Sequence, residues 1–302
     1  MNLKHPTTDS QPNTPSNIKN GVLLLNKPEG MGSTHALNIV KRALRLKKAG
    51  HGGTLDPFAE GLLLILIGKA TRFMEYYGEE KEYVSVIRLG VRTDTDDPDG
   101  EVIEEREIKD IDIEKVKEVL KKFEGEFMQK VPLYSAVKID GKRLYKLARK
   151  GAKVELPERK VEIKEIELLD YSLPFLTIRT VVKKGVYLRS LARDIGDELG
   201  CGAYLYKLKR ISVSPFTIED AYTIEDIKNG NYKIIPLKDA LPHFPSVTLS
   251  GDDVWKIRHG MKVRGFYPEG IYYVKDSLGN PVAVARGITF GLKPEKVINE
   301  GV

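Results

Sequence analysis

Large apolar side chains in this chain fall into runs and periods that mark most of its elements. The first is Gly21-Val22-Leu23-Leu24-Leu25, a continuous apolar run of the kind shown by a strand covered on both faces. Asn26-Lys27-Pro28-Glu29-Gly30 then reads as a turn. Ser33 or Thr34 reads as the cap of a helix whose apolar face is Leu37, Val40, Ala43 and Leu44. A second helix is expected from Asp112 to Phe123, through Ile113, Val116, Leu120 and Phe123, stopping at Gly125. A third begins near Leu188 and buries Leu191, Ala192, Ile195 and Leu199 before Gly200. Val84–Leu89, Val161–Leu168 and Leu176–Val182 are strand-like. Strands and helices without regular βαβ alternation predict an α+β fold.

The pattern is absent at the start. Residues 1–20 hold three prolines among Thr, Ser, Asn and Gln, the composition of a disordered tail, and lack the apolar core of a signal peptide, so a cytoplasmic location is expected. After Pro245 the character changes again. Residues 246–302 are rich in Val, Ile, Tyr and Gly, with a hairpin signal at Asp276-Ser277-Leu278-Gly279-Asn280-Pro281 between Ile271–Lys275 and Val282–Ala285. This predicts a small C-terminal β-barrel. The domain expectation is therefore a tail (1–20), a large body (21–245) and a small module (246–302).

Composition narrows the function classes. With 302 residues, 41% of them apolar, the chain can bury a large core, which excludes disorder over most of its length. The longest apolar run, Leu62–Ile67, is far short of the roughly 20 residues a membrane helix requires, so no membrane partner is expected. The single cysteine, Cys201, can form neither an internal disulfide nor a thiolate cage, and the five histidines lack metal-ligand spacing, so no metal is expected. A net charge of +6 says little as a total. Its distribution says more: between Lys138 and Lys160 lie nine basic residues and three acids, beside Tyr134 and Tyr145. Cations interleaved with aromatics suit RNA whose unpaired bases can stack. Lys41–Lys48 and Lys207, Lys209 and Arg210 form smaller basic clusters, and the acidic stretch Asp94–Glu107 balances the total.

Two motifs fail on inspection. Gly61 to Lys69 imitates a phosphate loop, but its glycines are seven apart and Ala70 stands where a Ser or Thr should bind magnesium. Thr95–Gly100 imitates a calcium loop whose twelfth position is Arg106 rather than an acid. A different stretch is read either as an ordinary Asp-Pro turn, its acid satisfying local backbone donors, or as a loop that carries chemistry. In Gly50-His51-Gly52-Gly53-Thr54-Leu55-Asp56-Pro57, glycines permit close approach of a ligand and one acid follows them at a proline-stiffened turn.

Gly52-Gly53-Thr54-Leu55-Asp56-Pro57 resembles the catalytic motif of the TruB family of tRNA pseudouridine synthases. Similar to that family, in its order and spacing, are Asn26-Lys27-Pro28, Lys81-Glu82-Tyr83-Val84, Arg88-Leu89-Gly90 and Thr93-Asp94-Thr95. So are Tyr134-Ser135-Ala136-Val137-Lys138, Gly141-Lys142-Arg143-Leu144-Tyr145, Gly185-Val186-Tyr187-Leu188-Arg189, Asp194-Ile195-Gly196 and Gly200-Cys201-Gly202-Ala203.

The resemblance, to the stand-alone bacterial type, implies a mixed, mainly antiparallel central sheet flanked by helices. It also implies an inserted thumb at about 130–160 and a C-terminal PUA-like RNA-binding domain. The implied activity is isomerisation of uridine 55 in the T-arm loop of tRNA to pseudouridine by a monomer without an obligatory protein partner. Asp56 is the implied catalytic carboxylate, as nucleophile or base, with Arg189 its ion-pair partner and Tyr83 packing on the base. His51, Tyr187 and Leu208 are the further implied substrate contacts, and Lys138, Lys142, Arg143, Lys146 and Lys150 the RNA-backbone contacts. The reaction is redox-neutral, so no cofactor is implied. A guide-RNA-dependent synthase and a tRNA-folding protein with secondary catalysis are the alternatives.

Overall fold

The computed structural model describes residues 20–135, 137–139, 141–144 and 155–298. The expected tail before Asn20, and Lys146 and Lys150 of the basic segment, lie outside the described residues.

Strands β1 (Gly21–Lys27), β2 (Ala49–Gly52) and β3 (Glu60–Ile67) begin the main sheet, β3 pairing antiparallel with both. The pleat sends Val22, Leu24, Leu62, Leu64 and Leu66 to one face and Leu23, Leu25, Leu63, Ile65 and Ile67 to the other. Both faces are covered, and this is why the sequence runs continuously apolar there. Helix α1 (Ser33–Ala43) covers the second face through Ala36, Leu37 and Val40. Two expectations are corrected. Ala43 is exposed and Ala36 takes its place in the buried stripe, while the helix starts from Gly32 with no side-chain cap.

Next come β4 (Glu80–Leu89) and a small hairpin of β5 (Val91–Thr93) and β6 (Val102–Glu105). Helix α2 (Ile113–Lys122) is capped by the Asp112 carboxylate, which accepts from the Lys115 N–H at 2.8 Å. It buries Val116, Val119 and Leu120, whereas Ile113, expected on the apolar face, is 45% exposed. Strand β7 (Gly125–Lys130) precedes a short hairpin, β8 (Lys138–Ile139) with β9 (Lys142–Arg143), in the expected thumb. Long strands β10 (Glu158–Ser172) and β11 (Phe175–Lys183), helix α3 (Leu188–Glu198), β12 (Ala203–Val213), β13 (Phe216–Thr217), α4 (Ile224–Lys228) and β14 (Ile235–Pro236) complete the body.

The main sheet runs β14-β1-β3-β12-β4-β11-β10-β7. Every pair along this path is antiparallel except β3–β12, which joins the two halves through Glu60–Lys209 and Gly61–Arg210. Helix α3 packs Leu188, Leu191, Ala192 and Ile195 into a core with Ile87, Leu176, Ile178 and Leu205. The fold is α+β with a mixed, mainly antiparallel sheet, as expected.

Beyond Pro245, β15 (Ser246–Thr248), α5 (Gly251–Arg258), β16 (Gly270–Lys275), β17 (Pro281–Ile288) and β18 (Gly291–Val297) form a separate unit whose sheet runs in that strand order. The expected hairpin is β16–β17, its turn held by the Asp276 carboxylate, which accepts from the N–H groups of Leu278 and Asn280 at 3.0 and 2.8 Å. Tyr273 and Val284 of this hairpin and Ile298 after β18 share one core with Val22, Leu24 and Phe73 of the body. The Phe73 and Tyr273 rings meet edge to face with centroids 5.9 Å apart.

Candidate active site

Residues 53–59 connect β2 to β3 and carry Asp56, beside the single parallel junction of the sheet. Gly53 has φ +95°, a left-handed conformation that side chains resist. Leu55, Phe58 and Ala59 anchor the loop in the core around it. Three tethers from separate elements then hold its backbone. The Ser33 hydroxyl, at the start of α1, donates to the Leu55 carbonyl and accepts from the Leu55 N–H, both at 2.8 Å. The Gly30 N–H donates to the Pro57 carbonyl at 2.9 Å. From β12, the Arg210 guanidinium donates to the carbonyls of Leu62 at 2.8 Å, Gly53 at 3.3 Å and Thr54 at 3.5 Å. Arg210, counted above in a basic cluster, is 1% exposed and is a strut rather than a surface charge. Strand β3 passes close over it: Gly61 has φ +107°, and a Cβ there would lie 2.3 Å from the Arg210 carbonyl oxygen.

Arg189, the second residue of α3, meets Asp56. Its Nε lies 3.0 Å from Asp56 Oδ2 and its Nη1 lies 3.2 Å from Asp97 Oδ2. Nη1 also donates to the Thr95 carbonyl at 3.1 Å, and Nη2 to the Tyr134 carbonyl at 2.9 Å. A planar guanidinium held on all sides can orient a carboxylate in a way a lysine cannot. Asp97 comes from the acidic stretch read above as mere charge balance. Burial pushes its carboxyl up, opposed by the Thr95 hydroxyl and by Arg189. One residue away, Asp96 pairs with Arg193 at 3.0 Å; burial pushes it to about 6 despite Arg193 and Arg189.

Asp56 opens into a cleft of about 330 Å³, lined also by Lys81, Tyr83, Tyr134, Tyr187, Arg189, Leu208 and Arg210. Cross-strand register sets two walls: Tyr83 of β4 faces Arg210 of β12, and Ser85 faces Leu208, so all four lie on one side of the sheet. Tyr187 stands in the turn before α3, its N–H donating to Gln129 Oε1 at 2.9 Å and its carbonyl accepting from Gln129 Nε2 at 3.1 Å. It also packs on a small cluster of Val131, Val137 and Leu144 beside the β8–β9 hairpin. Of the expected site residues, Asp56, Tyr83, Tyr187, Arg189 and Leu208 are thus brought together. His51 lies to one side on β2, half-buried, its imidazole lowered by burial and by Arg210, with the Gly53 backbone opposing. Lys27 is fully buried; its ammonium donates to the carbonyls of Pro28 and Met31, and burial pushes it to about 8 against the pull of Asp56.

Among the described residues, Asp56 is the one acid lining the cleft, with aromatic and aliphatic walls on either side. The arrangement can hold a planar base against a tyrosine while an oriented carboxylate reaches the atoms joining base to sugar. Ser33, Asp97, Gln129 and Arg210 are supporting residues that sequence reasoning missed, and each acts across a long chain separation.

Comparison with known proteins gives concordant matches. The family described as TruB family pseudouridylate synthase (N terminal domain) matches residues 41–188, and tRNA pseudouridylate synthase B C-terminal domain matches 189–241. A relative from Syntrophobacter fumaroxidans, named tRNA pseudouridine synthase B, is 44% identical over 80% of this chain and 81% of its own. One of the same name from Burkholderia mallei is 38% identical over 98% and 99%. Among solved structures, one described as a Cbf5-Nop10-Gar1 complex aligns with a TM-score of 0.70 and 27% identity over 92% of this chain and 84% of that one. Another, an H/ACA RNP bound to a substrate RNA containing 2′-deoxyuridine, aligns with a TM-score of 0.71 and 25% identity over 92% and 85%.

Proposed function

The chain belongs to the TruB family of pseudouridylate synthases, and from that premise we propose that it converts uridine to pseudouridine in tRNA, at position 55 of the T-arm loop. The observation that carries the reading is the 3.0 Å Asp56–Arg189 pair at a cleft walled by Tyr83, Tyr187 and Leu208. In the isomerisation the N1–C1′ bond breaks, the uracil turns, and C5 bonds to C1′. C5 loses a proton and N1 gains one, so the product is an isomer of the substrate. Asp56 serves either as nucleophile toward the ribose or the base, or as base toward a ribose proton. Arg189 orients it, Tyr83 holds the detached ring, and Leu208 and Tyr187 bound its rotation. The target atoms are stacked inside the loop, so the nucleotide is flipped into the cleft. His51 contacts the RNA beside it.

Lys138, Lys142, Arg143, Lys146 and Lys150 of the thumb grip the RNA backbone. Residues 21–245 form the catalytic domain, and 246–302 a PUA-like domain that holds a second part of the tRNA. In that unit Phe266 and Phe290 are 87% and 76% exposed and line one surface cavity with Lys262 and Arg264, a set suited to nucleic acid. The protein acts as a cytoplasmic monomer.

A guide-RNA-dependent reading is favoured by the likeness to the Cbf5 complex and the H/ACA RNP alone, at 25–27% identity; the relatives named tRNA pseudouridine synthase B stand at 38–44% over most of the chain. Purified protein incubated with an unmodified tRNA transcript, and no other RNA, should yield pseudouridine in the T loop by chemical mapping. No product without a guide overturns the stand-alone reading.

A further inference from the structure

The wall of the cleft formed by β4 and β12 carries cations that the chemistry of Asp56 does not use. Lys81 lies two residues before Tyr83 on β4 and on the same face, and it lines the cleft. The charges acting on it are mainly positive: Arg210 from β12 and Lys184 just after β11, with Glu79 the weaker opposing acid. The other carboxylates around the cleft are engaged elsewhere. Glu80 pairs with Lys164, Glu82 with Arg179, Glu60 with Lys209 and Asp56 with Arg189. Arg210 itself is bonded only to carbonyls, so its charge is not neutralised by an acid among the described residues. Burial, with Arg210 and Lys184 adding to it, pushes the Lys81 ammonium down to about 8. Positive charge is therefore gathered at one wall with Glu79 as a weaker counterweight, a cost that an incoming anion would relieve.

On the reading that the substrate is an RNA loop with one nucleotide flipped into this cleft, we propose that Lys81, backed by Arg210 and Lys184, is a subsite for a phosphodiester flanking the target nucleotide. Uracil offers neutral carbonyls, for which a single donor suffices. The phosphodiester carries a full negative charge and matches a cluster of cations. A compact ammonium at the cleft surface suits it as a point charge. The site would hold the strand while the base turns, because the ribose stays attached to the backbone as its glycosidic bond is broken and remade.

The test uses full-length protein and a T-arm stem-loop RNA. Lys81→Met should weaken binding about three- to tenfold near 0.1 M salt and reduce the slope of log affinity against log salt by about 0.7, the value for one single-strand phosphate contact. Lys81→Arg should restore affinity to within about twofold. A stem-loop with a methylphosphonate at one linkage flanking the uridine should bind wild-type protein more weakly by a similar factor, yet bind Lys81→Met as its unmodified parent does. The methylphosphonate series on wild-type protein needs no variant, so a misfolded substitution cannot mask the answer. If neutralising each flanking linkage in turn leaves wild-type affinity unchanged at both, or if the effect of the sensitive one adds in full to that of Lys81→Met, the subsite does not exist. A loss of saturated conversion rate with unchanged affinity assigns Lys81 to the base and overturns the proposal. Failure of wild-type protein to convert tRNA overturns the functional reading, and this subsite with it.

Discussion

Replacing Ser33 with alanine separates two views of the Asp56 loop. As a helix cap, the role its sequence position suggests, Ser33 would be worth about 1 kcal/mol of stability and nothing in catalysis. In the structure its hydroxyl instead closes two 2.8 Å hydrogen bonds on the Leu55 peptide, one residue before Asp56. Leu55 is 3% exposed, so the substitution strands a buried N–H and a buried carbonyl. At the lower end of about 1–3 kcal/mol for each orphaned group, Ser33→Ala should lose about 2–3 kcal/mol. Loosening one of three tethers lets the Asp56 carboxylate drift, and a misplacement near 1 Å can cost about 100-fold in rate. We expect single-turnover conversion slower by roughly 10- to 100-fold, with tRNA affinity by filter binding changed less than about twofold. Urea unfolding followed by circular dichroism gives the stability. Thr34→Ala, at the exposed neighbouring position, is the control and should stay within about 0.5 kcal/mol of wild type. A Ser33→Ala protein with wild-type conversion rate would refute the tether, whatever its stability.

Asp56→Asn should abolish conversion and leave tRNA binding nearly intact; appreciable turnover would refute the catalytic assignment. Arg189→Lys keeps the charge but cannot serve Asp56, Asp97 and two carbonyls together, so conversion should fall at least about 100-fold with the fold retained by circular dichroism. Changing Lys142, Arg143, Lys146 and Lys150 to Gln should weaken tRNA binding and flatten its salt dependence, whereas unchanged affinity and slope would show those charges to be merely solvated. Lys27 carries a pH signature: its folded value near 8 lies below the ordinary 10.5, so the unfolded chain holds that proton more tightly. Its contribution to stability therefore rises as pH climbs from about 8 to about 10.5, by up to about 3 kcal/mol at about 1.4 kcal/mol per pH unit. Lys27→Met should lack that rise, and parallel stability–pH curves for the two proteins would sink the assignment.

Elements whose signal is local were legible in the sequence: the doubly covered run of β1, the α3 stripe and the β16–β17 hairpin, whereas the loop around Asp56 reads locally as an ordinary turn and was singled out through family resemblance. Where one position could serve two purposes, local reading chose wrongly. Ser33 looks like a cap because caps are read from the following helix, yet its partner is 22 residues away. Ile113 and Ala43 fit an apolar period but point to solvent, although Leu44 beside Ala43 is buried. Asp97 lay in a stretch whose charges seemed only to offset the thumb, and it reaches Arg189 across 92 residues. Arg210 reaches Gly53 across 157. Nothing along the chain announces such pairs, because sheet order creates them. The Asp56–Arg189 pair was foreseeable through family resemblance rather than spacing.

The core shared by Phe73 and Tyr273 sets a mechanical rule for the whole molecule. Both rings are almost wholly inaccessible, and parting them to swing the C-terminal sheet away would wet both, at about 2–3 kcal/mol each before counting Val284 and Ile298. The two units accordingly behave as a caliper with locked jaws rather than as beads on a hinge. On the proposed reading that tRNA touches both, its two contact points must meet a separation the protein has already chosen, and the gap between cleft and C-terminal sheet would gauge substrate shape independently of any base that is read.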